Sequence, residues 1–197
     1  MKKYFFALLL TSCCLFSFAI LPTTYTVSPT DSTITWKGSK LGGTHTGLIL
    51  IKEGFLTIQN EKIIGGKVDI DMSSIFCTDI EDRETAQKLE GHLKSADFFD
   101  IENFPFATLE VLSMNPNEQK DTYEVKANLT IKDITKEIIF PAKIQVNNQQ
   151  IIADIELTID RTEYDVTYMA ESLTGQIKYK FIYNNFDLNI HLIANRK

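Results

Sequence analysis

Residues 123–132 alternate apolar and polar side chains without a break. Tyr123, Val125, Ala127, Leu129 and Ile131 fall on one face, and Glu124, Lys126, Asn128, Thr130 and Lys132 fall on the other. Successive strand side chains point to opposite sides, so a period this clean belongs to a strand with one face in water and one out of it. The same period recurs along the chain. Ile34 and Trp36 alternate with Thr35 and Lys37, and Val68, Ile70 and Met72 alternate with Lys67, Asp69 and Asp71. Residues 46–58 carry Leu48, Leu50 and Phe55, with a turn or bulge at Glu53-Gly54. Phe106 opens a strand that turns at Asn115-Pro116-Asn117. Phe140, Ala142, Ile144 and Val146 face inward on the next, and Asn147-Asn148 marks a hairpin. Ile151, Ala153, Ile155, Leu157 and Ile159 follow; after a polar loop at 161–178, Phe186, Leu188, Ile190 and Leu192 end the chain.

This is an all-β meander of about eight antiparallel strands, a number that closes into a barrel able to hold one slender ligand. Closure also removes the exposed edges of an open sheet. A two-sheet sandwich has the same alternation, and periodicity does not separate the two.

The period changes once. Ala86, Leu89, Leu93 and Ala96 recur at three- and four-residue steps, the spacing of one helix face. Phe98, Phe99, Phe104 and Phe106 crowd in behind them, and Pro105 restarts an extended chain. A short helix and a Phe-rich loop inside a strand protein need an apolar surface to cover. They are expected to cap one end of the barrel, as gate, as wall, or as packing for the helix.

The first residues stand apart from this pattern. Lys2 and Lys3 precede an apolar run over residues 4–20, and Ser17-Phe18-Ala19 supplies the small residues of a cleavage site. A signal peptide over 1–19 leaves a single domain over 20–197, with no transmembrane anchor once it is removed. Export to the periplasm is the expectation. Secretion is one alternative; another is a lipoprotein, because Leu10-Thr11-Ser12-Cys13 has lipobox residue types and would place the acyl chains on Cys13. Cys77 is then the sole mature cysteine, so an internal disulfide is ruled out. Losing the two lysines takes the net charge from −6 to −8, which argues against nucleic acid or an anionic membrane surface as partner.

Several blocks, in order, resemble the YceI family: Thr35-Trp36-Lys37-Gly38, the segments 68–75 and 92–100, Asn103-Phe104-Pro105, the segment 129–136, and Ile159-Asp160-Arg161-Thr162. Asp165 stands where many relatives carry a glycine. The resemblance implies an exported, lipocalin-like barrel that holds a polyisoprenoid or similar long-chain lipid in an elongated pore, and a barrel of this type could pair as a homodimer.

The candidate ligand-binding residues follow from the inward face and the cap. They are Trp36, Val68, Ile70, Phe98, Phe99, Phe104, Phe106, Leu129, Phe140, Ile155, Leu157 and Leu188. His45, His92 and Arg161 are candidate head-group contacts. The competing reading of the same inward face is a solid core with no cavity, as in a structural envelope protein. No nucleophile elbow, Cys–His pairing or phosphate-binding glycine loop is present, so no catalytic residue is assigned. An enzyme working on a lipid-like substrate in the lumen would have to draw on His92, Glu110 or Tyr164. The three histidines are isolated, and no metal or other cofactor is expected.

Overall fold

The computed structural model describes residues 21–60, 62–170 and 181–197. The expected signal peptide, including Cys13, and residues 171–180 of the polar loop lie outside them. Nine strands are present among the described residues: β1 (Thr23–Val27), β2 (Thr33–Lys40), β3 (Gly43–Gln59), β4 (Lys62–Cys77), β5 (Phe106–Pro116), β6 (Thr122–Ile131), β7 (Ile134–Val146), β8 (Gln150–Asp160) and β9 (Ile182–Arg196). From β2 to β9 each strand pairs antiparallel with its chain neighbour, and β9 returns to pair with β2. The result is a closed eight-stranded barrel, which decides between barrel and sandwich. The extra strand, β1, bridges β3 and the end of β9.

The long strands β3 and β4 depart from plain alternation. Register slips between Ile51 and Glu53, where the Glu53-Gly54 bulge was expected. Before the slip Gly47, Ile49 and Ile51 are buried; after it Leu56 and Ile58 are. One extra residue flips every later side chain to the other face. Leu48 and Leu50 are exposed because Gly47, Ile49 and Ile51 take the inward parity before the slip, and Phe55 is exposed because the slip reverses that parity. Both faces of Gly47-Leu48-Ile49-Leu50-Ile51 are apolar, so the alternation there had two solutions. A second slip, between Leu48 and Leu50, faces Asp71-Met72-Ser73-Ser74 on β4. There the Ser73 N–H donates to Asp71 Oδ1 at 2.9 Å and the Leu50 N–H donates to Ser74 Oγ at 2.7 Å. The side chains take the place of the ladder bonds that the slip interrupts.

The expected helix is α1 (Arg83–Lys94), which packs on β4. Asp82 caps it by accepting the Thr85 N–H at 2.8 Å. Its buried face holds Ala86 and also Glu90, while Ala96 falls beyond the helix and is exposed. Val146 lies at the barrel's rim and is exposed.

The barrel interior has two unlike halves. Around β1, the residues Tyr25, Leu56, Ile58, Val125, Ile144 and Ile151 fill the floor. Ala127, Ala142, Ala153 and Ala194, almost wholly buried in the same cluster, make room for the larger side chains beside them. The other half, toward α1, is hollow.

Candidate functional site

The hollow half is a cavity of about 190 Å³. Its wall comes from β2, β3, β4, β5, β6, β8 and β9, and α1 and the Phe loop contribute Leu93, Phe98 and Phe99. The side chains are aliphatic or aromatic apart from Ser39, Arg161 and Asn185. An apolar cavity of about 150 Å³ holds one benzene, so this space takes roughly seven or eight carbons. An apolar cavity offers water too few partners, so it favours hydrocarbon.

Of the expected ligand-binding residues, Trp36, Val68, Ile70, Phe98, Phe99, Leu129, Ile155, Leu157 and Leu188 all face this space. Three do not. Phe140 is buried away from the cavity wall. Phe104 lies half-buried in the turn after α1 and off the wall. Phe106 is 47 % exposed on the outside of β5, since it precedes Ala107 and Leu109, which point in. A run of aromatics marks a cap, but strand parity decides which rings turn inward. The alternation also carried Phe186 and Ile190, whereas Ile49, Ile51 and Leu109 on the wall were not singled out. Ser39 and Asn185 had no sequence signal.

Trp36 is held by close backbone approach. Its Nε1–H donates to the Leu48 carbonyl at 3.2 Å. A Cβ on Gly47 would stand 2.5 Å from the indole and 1.9 Å from the Phe76 carbonyl oxygen, so only glycine fits there.

Arg161 stands at the hollow end, 4 % exposed. Its Nε donates to the Tyr183 carbonyl at 3.2 Å, Nη1 to Val166 at 2.6 Å and Nη2 to Ile182 at 3.0 Å. The guanidinium lies 5.8 Å from the Phe98 ring centre. Burial pulls its pKa below the ordinary arginine value, with neighbouring Asp160 opposing. These bonds fasten the 3-10 turn Arg161–Tyr164 to the start of β9. Tyr164 in that turn is buried, and burial pushes its hydroxyl up to about 12.

The two candidate histidines stand off the cavity. His45 pairs with Asp79 at 3.0 Å near the start of β3. Asp79 is pushed up by burial, but the Thr46 N–H and His45 outweigh that and hold it below the usual carboxylate range. His92 packs edge-on behind Phe98 and Tyr168, with ring centres 5.0 and 4.7 Å away, and meets Asp97 at 3.3 Å. Of the candidate head-group contacts, only Arg161 is on the wall. Glu110 points outward from β5. Neither it nor His92 nor Tyr164 touches the lumen. No group of three or more metal-ligating side chains occurs among the described residues.

The cap is anchored by a buried carboxylate. Glu90 Oε1 accepts the Cys77 N–H at 2.9 Å, and Arg83 reaches the same carboxylate at 3.1 Å. Burial raises Glu90, but these donors overcome it and hold the group below its usual value. Cys77, 1 % exposed, is pushed up to about 11, first by burial and then by Asp79 and Glu90. A thiol that resists ionisation is a packed hydrophobe and not a nucleophile.

The profile of the YceI-like domain matches residues 25–194. No match was found among curated proteins. Three solved structures share the fold. Burkholderia cenocepacia BcnA is 19 % identical, with a TM-score of 0.63, over 85 % of this chain and 99 % of its own. A polyisoprenoid binding domain from Saccharophagus degradans is 17 % identical, with a TM-score of 0.65, over 89 % and 99 %. A Campylobacter jejuni YCEI protein is 17 % identical, with a TM-score of 0.53, over 100 % and 99 %.

Proposed function

The chain belongs to the YceI-like domain family, and from that premise we propose that it is an exported, non-catalytic carrier of a long-chain lipid, of polyisoprenoid or fatty-acyl type. The observation that carries this reading is the cavity: a partly open apolar space in a barrel whose other half is packed solid. Each methylene moved from water into it is worth about 0.8 kcal/mol, so seven or eight give roughly 6 kcal/mol before the entropy of ordering the chain. The driving force needs no charge and discriminates little between one hydrocarbon and another, so the reading names a class of ligand. The polyisoprenoid-binding relative from Saccharophagus degradans supports the isoprenoid member of that class.

The test is to purify residues 20–197, extract with organic solvent and weigh what comes off by mass spectrometry. A stoichiometric long-chain lipid is expected. Protein from several hosts that carries none, and that takes up neither polyprenyl nor fatty-acyl chains added in excess, would sink the carrier reading. Export is tested separately. The full chain expressed in a bacterium with two membranes should yield periplasmic protein whose first residue is Ile20. Protein retained in the cytoplasm with Met1 intact speaks against it, and a diacylated Cys13 would replace the soluble form with a lipoprotein.

A further inference from the structure

The barrel wall is not bonded equally all the way round. β6 and β7 exchange ten register pairs and β8 and β9 eleven, but β7 and β8 hold only five, from Val146↔Ile151 to Ala142↔Ile155. The next β7 residue, Pro141, has no N–H to donate. Beyond it, residues 134–141 of β7 and 156–160 of β8 run on without pairing to each other. This seam opens in the hollow half of the barrel. Leu157, on its β8 side, and Ile155, in the last ladder pair before it, line the cavity.

Burial loosens farther along β7. Where the ladder holds, the inward residues Ala142, Ile144, Ile151 and Ala153 are 0–5 % exposed, and just past it Phe140 and Ile159 are still buried. Nearer the β6–β7 hairpin, Ile134 and Ile138 are only half-buried although neither faces the cavity. On the outer lip Ile139 is 60 % exposed. The far end of the seam is held by a clasp. Lys132 Nζ, on the β6–β7 hairpin, donates to the Asp165 carbonyl at 2.8 Å and lies 3.7 Å from its carboxylate. Asp165 sits in the left-handed region at φ 57°, which turns that carbonyl toward the hairpin.

Resting on the carrier reading, we infer that the β7–β8 seam is the lateral entrance through which a hydrocarbon chain reaches the lumen, with Lys132–Asp165 as its latch. Parting the wall along a paired stretch breaks ladder hydrogen bonds, whereas along 134–141 and 156–160 β7 and β8 have none to break beyond the latch. β4 past Asp71 is likewise unpaired to β5, but there the Met72 N–H donates to the Pro105 carbonyl at 3.0 Å and α1 packs on the strand. The α1 end is the costlier route, because Glu90 is anchored on Cys77 and Phe98 lies against Arg161. A chain entering sideways passes Ile134, Ile138 and Ile139, with Lys136 on the same face as Leu129 beside them. The substrate form implied is a lipid handed over from a membrane or vesicle, tail first.

Continuing the β7–β8 register places Ile139 opposite Thr158, both outward. The double variant Ile139→Cys/Thr158→Cys staples the seam on oxidation, and mass spectrometry reports the bond. The probe is an anthroyloxy-labelled fatty acid exchanged between the protein and phosphatidylcholine vesicles. The oxidised protein should load and unload at least about tenfold more slowly than the same protein reduced, with equal final occupancy, since the staple forbids the opening. Lys132→Met keeps the aliphatic stem and should speed exchange about threefold, the share held by one exposed charge-assisted bond. Unchanged rates in the stapled protein overturn the entrance, as does a slowing seen instead when Phe76→Cys/Arg83→Cys pins α1 to β4. If the staple does not close, unchanged exchange in Lys132→Met overturns it alone. If no probe binds at equilibrium to any form, the carrier reading fails and the entrance with it; normal occupancy at unaltered rates removes only the entrance.

Discussion

The floor of this barrel and its hollow half are made from the same strands with the same alternation, yet one is solid and the other empty. The floor has β1 laid across it, a closed β7–β8 ladder, and alanines set among larger residues. The hollow half has neither β1 nor that ladder, and its walls are bulky residues that meet across a void. An apolar inward face therefore states that water is excluded; whether the space is filled depends on what reaches across. Stability belongs to the floor, and the hollow half gives up packing contacts to keep room for a guest.

Truncations and insertions put this division to the test. Ile151→Ala in the floor should cost about 4 kcal/mol in urea unfolding, because the surroundings are packed and the residue is wholly buried. Gly47→Ala in the hollow half should cost about 3 kcal/mol by a different route, overpacking, and should shift the fluorescence of Trp36 as the indole leaves the wall. Glu90→Gln should cost about 2 kcal/mol at pH 7. Its acid dependence has a definite sign. A folded pKa below the unfolded value near 4.3 gives stabilisation that is complete above that value and is lost as pH falls through the folded one. The gap between wild type and Glu90→Gln should thus narrow from pH 7 to pH 3 in thermal melts. Leu157→Ala, which enlarges an existing void, should cost least, about 1 kcal/mol, while weakening lipid retention. If Leu157→Ala proved as costly as Ile151→Ala in the ligand-free protein, the hollow half would have to be packed after all.

The strands, the one helix and the capping role of Phe98 and Phe99 were readable because each depends on a period or a crowding of residue types within one segment. So was most of the cavity wall, since residues 123–132 and 186–192 have one apolar face each. Leu48, Leu50 and Phe55 were not readable: where both faces are apolar, a single bulge chooses between them, and the bulge is placed by the partner strand. Phe106 failed for a related reason, as strand parity outranked aromatic character.

Local pattern thus settled that a meander with a greasy inner face would form, because backbone periodicity and water's rejection of hydrocarbon act residue by residue. The void, the seam beside Pro141 and the latch from Lys132 to Asp165 are set by how distant strands meet. Those distances arise from closing the barrel, and no stretch of the chain contains them by itself.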